Sequence, residues 1–435
     1  MDIFAIVVAI LTCLAIIVTS VIIPNIKIGK ISINLYWIIA LLGAILLLCF
    51  QKISFSEVWS GLISDGSINP IKILILFLSM TMISIFLDEL GFFAKVANYV
   101  LEKTKDSQFK IFIAFYALVS ILTMFTSNDI IILTFTPFII LFCKNAKVSP
   151  IPYLVSEFCA ANTWSMMFII GNPTNIYLAE SLGVDFVQYF LKMAIPTLLA
   201  GIVEFCILIL VFRKKLKEPI QHEIEKLPPL NRFLTIYGLS ILIVCTIALV
   251  LSSYLNWPMY IIAFVALLTL SLGVLTYSIV AKAMPKQLLN TYKRAPYELI
   301  PFVISMFVIV LALSKAGLTE KIANLFGIDF LGIKYGFSSL LMANLLNNIP
   351  MSVFYSSIEQ FITDQNAIGP ALYGSVIGSN IGAFITPIGA LAGIMWMGIL
   401  KSHQVKYSWL DFIKYGLLIG LPVGSVAIFS LFISF

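Results

Sequence analysis

The sequence predicts an all-α polytopic membrane protein made of two inverted repeats of about five transmembrane helices, each with a re-entrant helical hairpin and a broken helix. Three observations lead to this fold class. The 435 residues are 60% hydrophobic and 11% charged, with a mean hydropathy of +1.04. The apolar residues form long runs, and polar residues interrupt four of these runs in a repeating order. A water-soluble fold cannot bury so much apolar side chain, which excludes soluble enzymes and nucleic-acid-binding proteins.

Eight uninterrupted apolar runs are predicted to be ordinary spanning helices, because about 20 apolar residues cross the hydrocarbon core of a bilayer. These runs are Ile3 to Ile23, Ile33 to Phe50, Ile71 to Leu87, Phe186 to Phe212, Phe233 to Leu251, Met259 to Val280, Leu299 to Leu313 and Phe412 to Phe435. The first run lacks the basic segment that precedes a cleaved signal sequence, so we expect it to be retained as a helix.

Four other apolar regions are broken. Two are predicted hairpins, at 109–145 and 331–363, and two are predicted broken helices, at 150–180 and 368–400. The interruptions are Thr126-Ser127-Asn128-Asp129, Asn347-Asn348-Ile349-Pro350, Gly171-Asn172-Pro173-Thr174-Asn175 and Thr386-Pro387-Ile388-Gly389. Asn348 lies 220 residues after Asn128, and Pro387 lies 214 residues after Pro173. This recurrence predicts a first repeat over 1–212, a cytoplasmic linker over 213–232 and a second repeat over 233–435.

The positive residues behind the net charge of +6 lie mostly in short connections, where membrane orientation explains them. If each hairpin returns to the side from which it entered, each half crosses five times and most of this charge falls inside. Five crossings invert the second half, as in many secondary transporters. We therefore expect a multi-pass protein of the cell (inner or plasma) membrane with both termini outside. In the alternative, each hairpin crosses twice and Asn128 forms a polar turn at a surface.

Irregular backbone in hydrocarbon is tolerated only against protein or around a polar cavity, because each unpaired backbone group costs several kcal/mol. Pro173 and Pro387 free carbonyl groups, and Gly171 and Gly389 are expected to allow backbone shapes that other residues resist. We therefore predict a shared polar site of short oxygen donors and carboxamides, which suit hard cations and small polar solutes. Its candidate residues are Ser127, Asn128, Asp129, Asn172, Pro173, Thr174, Asn175, Asn347, Asn348, Asn380, Thr386, Pro387 and Gly389.

Asp129 is the only ionisable side chain in that set, which makes it the leading candidate for carrying a proton. Capping of the second hairpin leg is an alternative role for it. Glu157 and Glu204 lie within apolar runs and are further proton-coupling candidates, with a structural hydrogen-bonded role left open for each. The six cysteines show no metal-binding or disulfide spacing, so we predict no metal site and no cofactor.

The motifs at the breaks resemble the ion transporter superfamily of arsenite permeases, NhaD-type sodium/proton antiporters and divalent-anion/sodium symporters. In the first half the resemblance rests on Thr126-Ser127-Asn128-Asp129, Thr136-Pro137 and Gly171 to Ile176. In the second half, Asn347 to Pro350, Gly378 to Gly382 and Ile385 to Ala392 most resemble ArsB-type arsenite/antimonite efflux permeases. The resemblance covers nearly the whole chain. It implies inverted repeats with two re-entrant hairpins, and a site between the hairpin tips and the broken helices.

Two features depart from these relatives. Arsenite permeases that resemble this chain commonly have an aspartate where Asn380 stands. The dicarboxylate branch has Ser-Asn-Thr at both hairpin tips, whereas this chain has Ser127-Asn128-Asp129 and Asn347-Asn348-Ile349. The altered tips argue against a dicarboxylate, which the acidic first tip would also repel.

The resemblance and the polar breaks together predict arsenite or antimonite efflux coupled to proton entry by alternating access. A sodium/proton antiporter on the same fold is the alternative. A membrane-embedded enzyme would need a nucleophile–base pair or a metal cluster at bilayer depth, and neither histidine lies there, so we expect no enzyme activity. The expected partners are the solute or a monovalent cation, protons and lipid, with no nucleic acid. A homodimer stays open, as does the soluble ATPase with which some family members are thought to work.

Overall fold

Eight helices are long and apolar enough to cross a membrane within the part of the chain that the computed structural model describes. That part comprises residues 2–22, 25–28, 31–63, 69–103, 107–218, 220, 228–255 and 257–435. The helices of the first half are α1 (Ile3–Ile22), α2 (Tyr36–Cys49), α3 (Phe55–Ile63), α4 (Pro70–Glu89), α5 (Phe92–Lys103), α6 (Gln108–Phe125), α7 (Asn128–Asn145), α8 (Ile151–Trp164), α9 (Pro173–Ser181) and α10 (Phe186–Phe212). Those of the second half are α11 (Arg232–Leu255), α12 (Met259–Val280), α13 (Lys286–Arg294), α14 (Leu299–Lys315), α15 (Leu318–Phe326), α16 (Leu331–Leu346), α17 (Asn348–Glu359), α18 (Gln365–Gly382), α19 (Leu391–Ser402) and α20 (Trp409–Ser434).

The outer surface of this helical bundle is apolar. Leu210, Val244, Leu272 and Ile433 are each more than 60% exposed. Large aliphatic side chains spread this widely over a surface are stable against lipid but not against water. The predicted all-α membrane class is therefore confirmed.

A two-stranded antiparallel hairpin separates the first two helices, with strands β1 (Asn25–Ile28) and β2 (Ile31–Asn34). The predicted span that began at Ile33 was wrong at its start, because α2 begins at Tyr36. Apolar and polar residues alternate along β2, and this period of two suits a strand rather than a helix. The strand ends at Asn34, whose Nδ2 donates a 2.6 Å hydrogen bond to Glu298 in the second half.

The helices of the two halves correspond in order, from α1 with α11 to α10 with α20. In several cases, when a helix of one half packs on a helix of the other half, the two equivalent helices also pack on each other. Helix α2 packs on α14 as α12 packs on α4, and α9 packs on α17 as α19 packs on α7. Helices α10 and α20 pack on each other, as do α8 and α18. A two-fold axis relating the halves would produce this exchange.

Four short helices were not among the predicted spans. Helices α3, α5, α13 and α15 have 9 to 12 residues, too few to cross a bilayer, and they occupy equivalent places in the two halves. Within the predicted linker over 213–232, residues 219 and 221–227 lie outside the described residues.

The four helix interruptions lie at the predicted motifs. Helix α6 ends at Phe125 and α7 begins at Asn128, while α16 and α17 are separated by Asn347 alone. Helix α8 ends at Trp164, and Asn172 caps α9. Helix α18 ends at Gly382, and α19 begins beyond the Thr386 to Gly389 motif.

Gly171 and Gly389 are required at the breaks because a side chain at either position would collide with neighbouring backbone. We expected them to adopt backbone shapes that other residues resist, and this reason was wrong because neither has a positive φ. A Cβ atom on Gly171 would lie 2.3 Å from the carbonyl oxygen of Ser165, and one on Gly389 would lie 2.6 Å from that of Gly382. At both breaks the chain folds back onto the end of the preceding helix, where any side chain would collide with backbone.

Candidate functional site

The carboxamide of Asn380 joins the two broken helices at the centre of the protein. Its Oδ1 atom accepts hydrogen bonds from Asn172 Nδ2 at 2.7 Å and from Ser165 Oγ at 2.9 Å. Its Nδ2 atom donates to Asn175 Oδ1 at 2.7 Å and to the carbonyl oxygen of Val376 at 2.8 Å. Asn380 is fully buried, so every polar atom of its side chain is paired within protein.

A second contact between the same segments lies beside it. Thr174 Oγ1 and Ser379 Oγ are 3.0 Å apart, and Asn175 Nδ2 donates to the carbonyl oxygen of Ser165 at 2.8 Å. Asn172 holds the start of α9 by accepting a bond from the backbone N–H of Thr174, the usual role of an N-cap. We call Ser165, Asn172, Thr174, Asn175, Ser379 and Asn380 the asparagine cluster.

The first hairpin tip reaches this region through Asn128. Its Nδ2 atom donates to Asn162 Oδ1 at 3.0 Å, and Ser165 Oγ of the cluster lies 2.7 Å from the carbonyl oxygen of Asn162. Asn128 is 1% exposed, so its carboxamide is enclosed by protein. Its Oδ1 atom has no hydrogen-bond partner among the described residues, which leaves a buried acceptor open beside the cluster.

Asn162 and Asn380 occupy equivalent positions in the two halves. Each lies two residues before the end of its helix, and each Nδ2 atom donates 2.8 Å to the carbonyl oxygen four residues earlier. We predicted Asn380 as a site residue but missed Asn162. The separation of these two asparagines, 218 residues, lies between the two repeat offsets and would have identified it.

The second hairpin tip contacts the second break. Asn347 Nδ2 donates to the carbonyl oxygen of Ile388 at 3.1 Å, and the backbone N–H of Asn348 donates to that of Gly389 at 2.9 Å. Thr386 Oγ1 donates to Asn344 Oδ1 at 2.7 Å. Asn347 has a φ of +73° and a ψ of +151°, a conformation that residues with a side chain rarely adopt. Pro387 is buried within this contact.

The second tip also lies against the first break. Pro173 and Thr174 line a gap of about 20 Å³ together with Ile349 and Ser352 of α17. The tips and breaks of both halves are therefore contiguous. Asn344 was missing from the predicted set, although its position three residues before the Asn347-Asn348 tip could have suggested it.

Asp129 faces away from the asparagine cluster. It lines a cavity of about 480 Å³ whose walls include Ser127, Thr81, Arg294 and Glu298. We predicted one site for Asn128 and Asp129, but successive residues of a helix point about 100° apart, so the two side chains face different surroundings. Ser127 is the N-cap of α7 and Asp129 lies in its first turn, so Asp129 is not the cap.

The two predicted buried carboxyl groups, those of Glu157 and Glu204, are each hydrogen-bonded to a threonine. Thr136 Oγ1 of α7 lies 2.9 and 3.1 Å from the carboxyl oxygens of Glu157 on α8. Thr163 donates to Glu204 Oε2, and Glu204 Oε1 has no hydrogen-bond partner among the described residues. Both glutamates are at most 2% exposed. A bilayer protein retains such groups at a cost, which marks them as candidates for function.

Comparisons with known proteins find similarity to membrane transporters. The family described as Citrate transporter (CitMHS) matches residues 14–360. The "Putative arsenical pump membrane protein" of Bacillus subtilis (strain 168) is 27% identical over 376 residues, covering 79% of this chain and 83% of its own. The "Arsenical pump membrane protein" of Escherichia coli (strain K12) is 27% identical over 375 residues, covering 82% and 84%. The crystal structure of the Alcanivorax borkumensis YdaH transporter is similar in fold, with a TM-score of 0.53, 12% identity, and coverage of 99% of this chain and 98% of the other.

Proposed function

Because the chain belongs to the citrate transporter (CitMHS) family of membrane transporters, we propose that it is a secondary active transporter that moves arsenite or antimonite out of the cell in exchange for protons. The substrate class is supported by relatives that are named arsenical pump membrane proteins. The two relatives and the structural neighbour reported above are named as pumps or a transporter, and transport rather than catalysis is the activity that we propose.

The asparagine cluster is the observation that carries this proposal. Its side chains are all carboxamides and hydroxyls, and within the described residues no lysine or arginine bonds to them. Arsenite and antimonite are neutral trihydroxy species near pH 7, so such groups can exchange hydrogen bonds with one another for bonds with the solute hydroxyls. A citrate-like anion would instead need cationic partners to offset its desolvation.

The cavity beside Asp129 provides the route for the coupling proton. Residues from both halves line it, and Asp129 is separated from the asparagine cluster by the backbone of the first hairpin tip. A proton taken up at Asp129 can therefore alter the hairpin that carries Asn128 without contact between proton and solute. Glu157 and Glu204 extend the series of acids toward α10.

Alternating access follows from movement of the hairpins and broken helices against the other spans, in two inverted repeats. The reciprocal packing of α2 with α14 and of α12 with α4 supports the repeat. Helices α6 and α7 have 18 residues each, about 27 Å at 1.5 Å per residue, and both are among the eight helices that are long and apolar enough to cross a membrane. The proposal that the first hairpin is re-entrant therefore rests on the burial of Asn128 rather than on helix length.

Sodium/proton exchange is the second candidate function, because oxygen-bearing side chains of Ser127, Asp129 and Thr81 line the same cavity. Hard cations prefer such ligands. In this case the acid in the cavity would bind sodium directly and release its proton.

Everted membrane vesicles distinguish the two functions. In such vesicles the cytoplasmic face is outside, so an acidic interior should drive arsenite accumulation if the exchange is arsenite for protons. Control vesicles lacking the protein should not accumulate it. Proton release from the vesicles on addition of sodium, with no arsenite uptake, would instead establish the sodium exchanger.

A further inference from the structure

A third buried carboxyl group, Glu359, lies at the end of α17. It is fully buried, and its Oε1 atom accepts a 2.6 Å hydrogen bond from Ser375 Oγ of α18. Its Oε2 atom has no hydrogen-bond partner among the described residues. The sequence analysis included this residue in the second hairpin, 331–363, but did not name it as a candidate.

Glu359 has a counterpart in the first half. There the same two elements, the second hairpin leg and the first part of the broken helix, are joined by Thr136 and Glu157. The hairpin leg supplies the hydroxyl and the broken helix supplies the acid, whereas in the second half these roles are reversed. Each half therefore places one carboxyl–hydroxyl pair at the same interface.

The positions of the two pairs match closely. Glu157 lies five residues before Asn162, and Ser375 lies five residues before Asn380, the two equivalent asparagines of the broken helices. Thr136 lies eight residues beyond the tip residue Asn128, while Glu359 lies eleven beyond Asn348. The difference of three residues is about one helical turn, which keeps both on one face.

We propose that Glu157 and Glu359 form a pair of proton-carrying groups, one in each half, that load and release protons as each hairpin leg separates from its broken helix. This inference rests on the proposed exchange of solute for protons. A carboxylate buried without a cationic partner costs several kcal/mol, so each acid holds its proton while the interface is closed. Opening admits water, which solvates the carboxylate and lets the proton leave.

The surroundings of the two acids suit this role. Tyr335 of α16 and Tyr355 of α17 are the titratable side chains of the described residues that interact electrostatically with Glu359. Thr136 of α7 and Trp396 of α19 are the polar side chains that face Glu157. Within the described residues neither acid has a lysine, arginine or histidine partner, so protonation rather than an ion pair neutralises it.

Proteoliposomes that contain the full chain test this pairing with two assays. In the first, a pH gradient drives net arsenite accumulation. In the second, arsenite exchanges for arsenite at equal pH on both sides, which moves no net protons. The variants are Glu359→Gln and Glu157→Gln, with Glu320→Gln at an exposed position of α15 as the matched control.

We expect each of the two variants to lose at least tenfold in gradient-driven accumulation and to keep arsenite exchange within about twofold of the wild type. Gradient-driven accumulation equal to the wild type in Glu359→Gln would overturn the pairing, and so would an equal loss in both assays, which indicates a structural role. Absence of arsenite transport by the wild type would instead refute the proposed function.

A further variant, Ser375→Ala, guards against misfolding of Glu359→Gln. It removes the hydroxyl that stabilises the ionised carboxylate but leaves the acid in place. The pH profile of gradient-driven accumulation should move to higher pH, with arsenite exchange preserved. An unchanged profile would overturn the role of Glu359.

Discussion

Asn380 Nδ2 donates a 2.7 Å hydrogen bond to Asn175 Oδ1, and this bond links the first part of one broken helix directly to the second part of the other. The two residues are 205 positions apart in the sequence, and both are fully buried. The bond therefore forms only when the two halves keep their relative position. It also requires a donor at position 380, which the aspartate of the resembling arsenite permeases supplies only when it is protonated.

Asn380→Asp should lower the stability of the protein at neutral pH. An ionised aspartate cannot donate to Asn175 Oδ1 or to the carbonyl oxygen of Val376, and two unpaired buried acceptors cost about 1–3 kcal/mol each. Thermal unfolding in detergent should show a lower Tm at pH 7.5, with part of the loss recovered at pH 5. The matched control is Asn366→Asp on the exposed start of the same helix. An unchanged Tm in the Asn380 variant would refute the donor role.

Gly389→Ala should destabilise the second break. The added Cβ would lie 2.6 Å from the carbonyl oxygen of Gly382, which is backbone and cannot rotate away, and overpacking of this kind costs about 1–3 kcal/mol. Gly398→Ala on α19 is the control, because its Cβ would meet nothing within 4 Å and alanine favours the helix. Thermal unfolding should show a lower Tm for Gly389→Ala and not for Gly398→Ala. Equal Tm values would contradict the close approach.

Asp129→Asn should abolish gradient-driven arsenite uptake and leave arsenite exchange at equal pH. The carboxamide keeps the size of the side chain in the cavity, but it cannot gain or lose a proton near neutral pH. Asp329→Asn at an exposed position controls for the loss of an acid. Full gradient-driven uptake by Asp129→Asn would remove this residue from the coupling mechanism.

The ion pair between Glu57 of α3 and Lys315 of α14 joins the two halves at a surface, with Lys315 Nζ 2.6 Å from Glu57 Oε1. The hydrogen bond from Lys315 and those from the backbone N–H and the hydroxyl of Ser54 lower the pKa of Glu57 from 4.5 to about 2. Because the folded value is the lower one, the pair stabilises the protein fully above about pH 4.5 and loses this effect as the pH falls toward 2.

Glu57→Gln should therefore lower the Tm by a larger amount at pH 6 than at pH 3. Thermal unfolding of the variant and the wild type at both pH values measures the difference. Both side chains are substantially exposed, so added salt should also reduce it. A difference in Tm that is the same at both pH values would show that Glu57 acts through packing.

Hydropathy and helix-breaking residues were sufficient to predict the membrane class and the positions of the interruptions. Bilayer thickness imposes a length on each span, and Pro173 or the Asn347-Asn348 pair marks a helix end by local chemistry alone. Strand β2 (Ile31–Asn34) of the short hairpin was missed because its apolar residues merge with the following span, and only the period of two distinguishes them.

The partners of the polar residues could not be read from local sequence. Asp129 and Asn128 are adjacent, yet one lines a cavity and the other bonds to Asn162, and this division depends on how α7 is rotated against α8. Glu359 was missed for a similar reason. Its equivalence to Glu157 becomes apparent only when Ser375 and Thr136 are seen to exchange roles across the same interface.

Arsenite exchange at equal pH by Asn380→Ala in proteoliposomes tests most directly whether the asparagine cluster binds the solute. Truncation removes the bridge to Asn172 and Asn175 while leaving the acids intact, and Asn366→Ala on the same helix is the matched control. We predict that Asn380→Ala loses at least tenfold in exchange rate and that Asn366→Ala exchanges at the wild-type rate. Exchange by folded Asn380→Ala at the wild-type rate would contradict a solute site at the meeting point of the two broken helices.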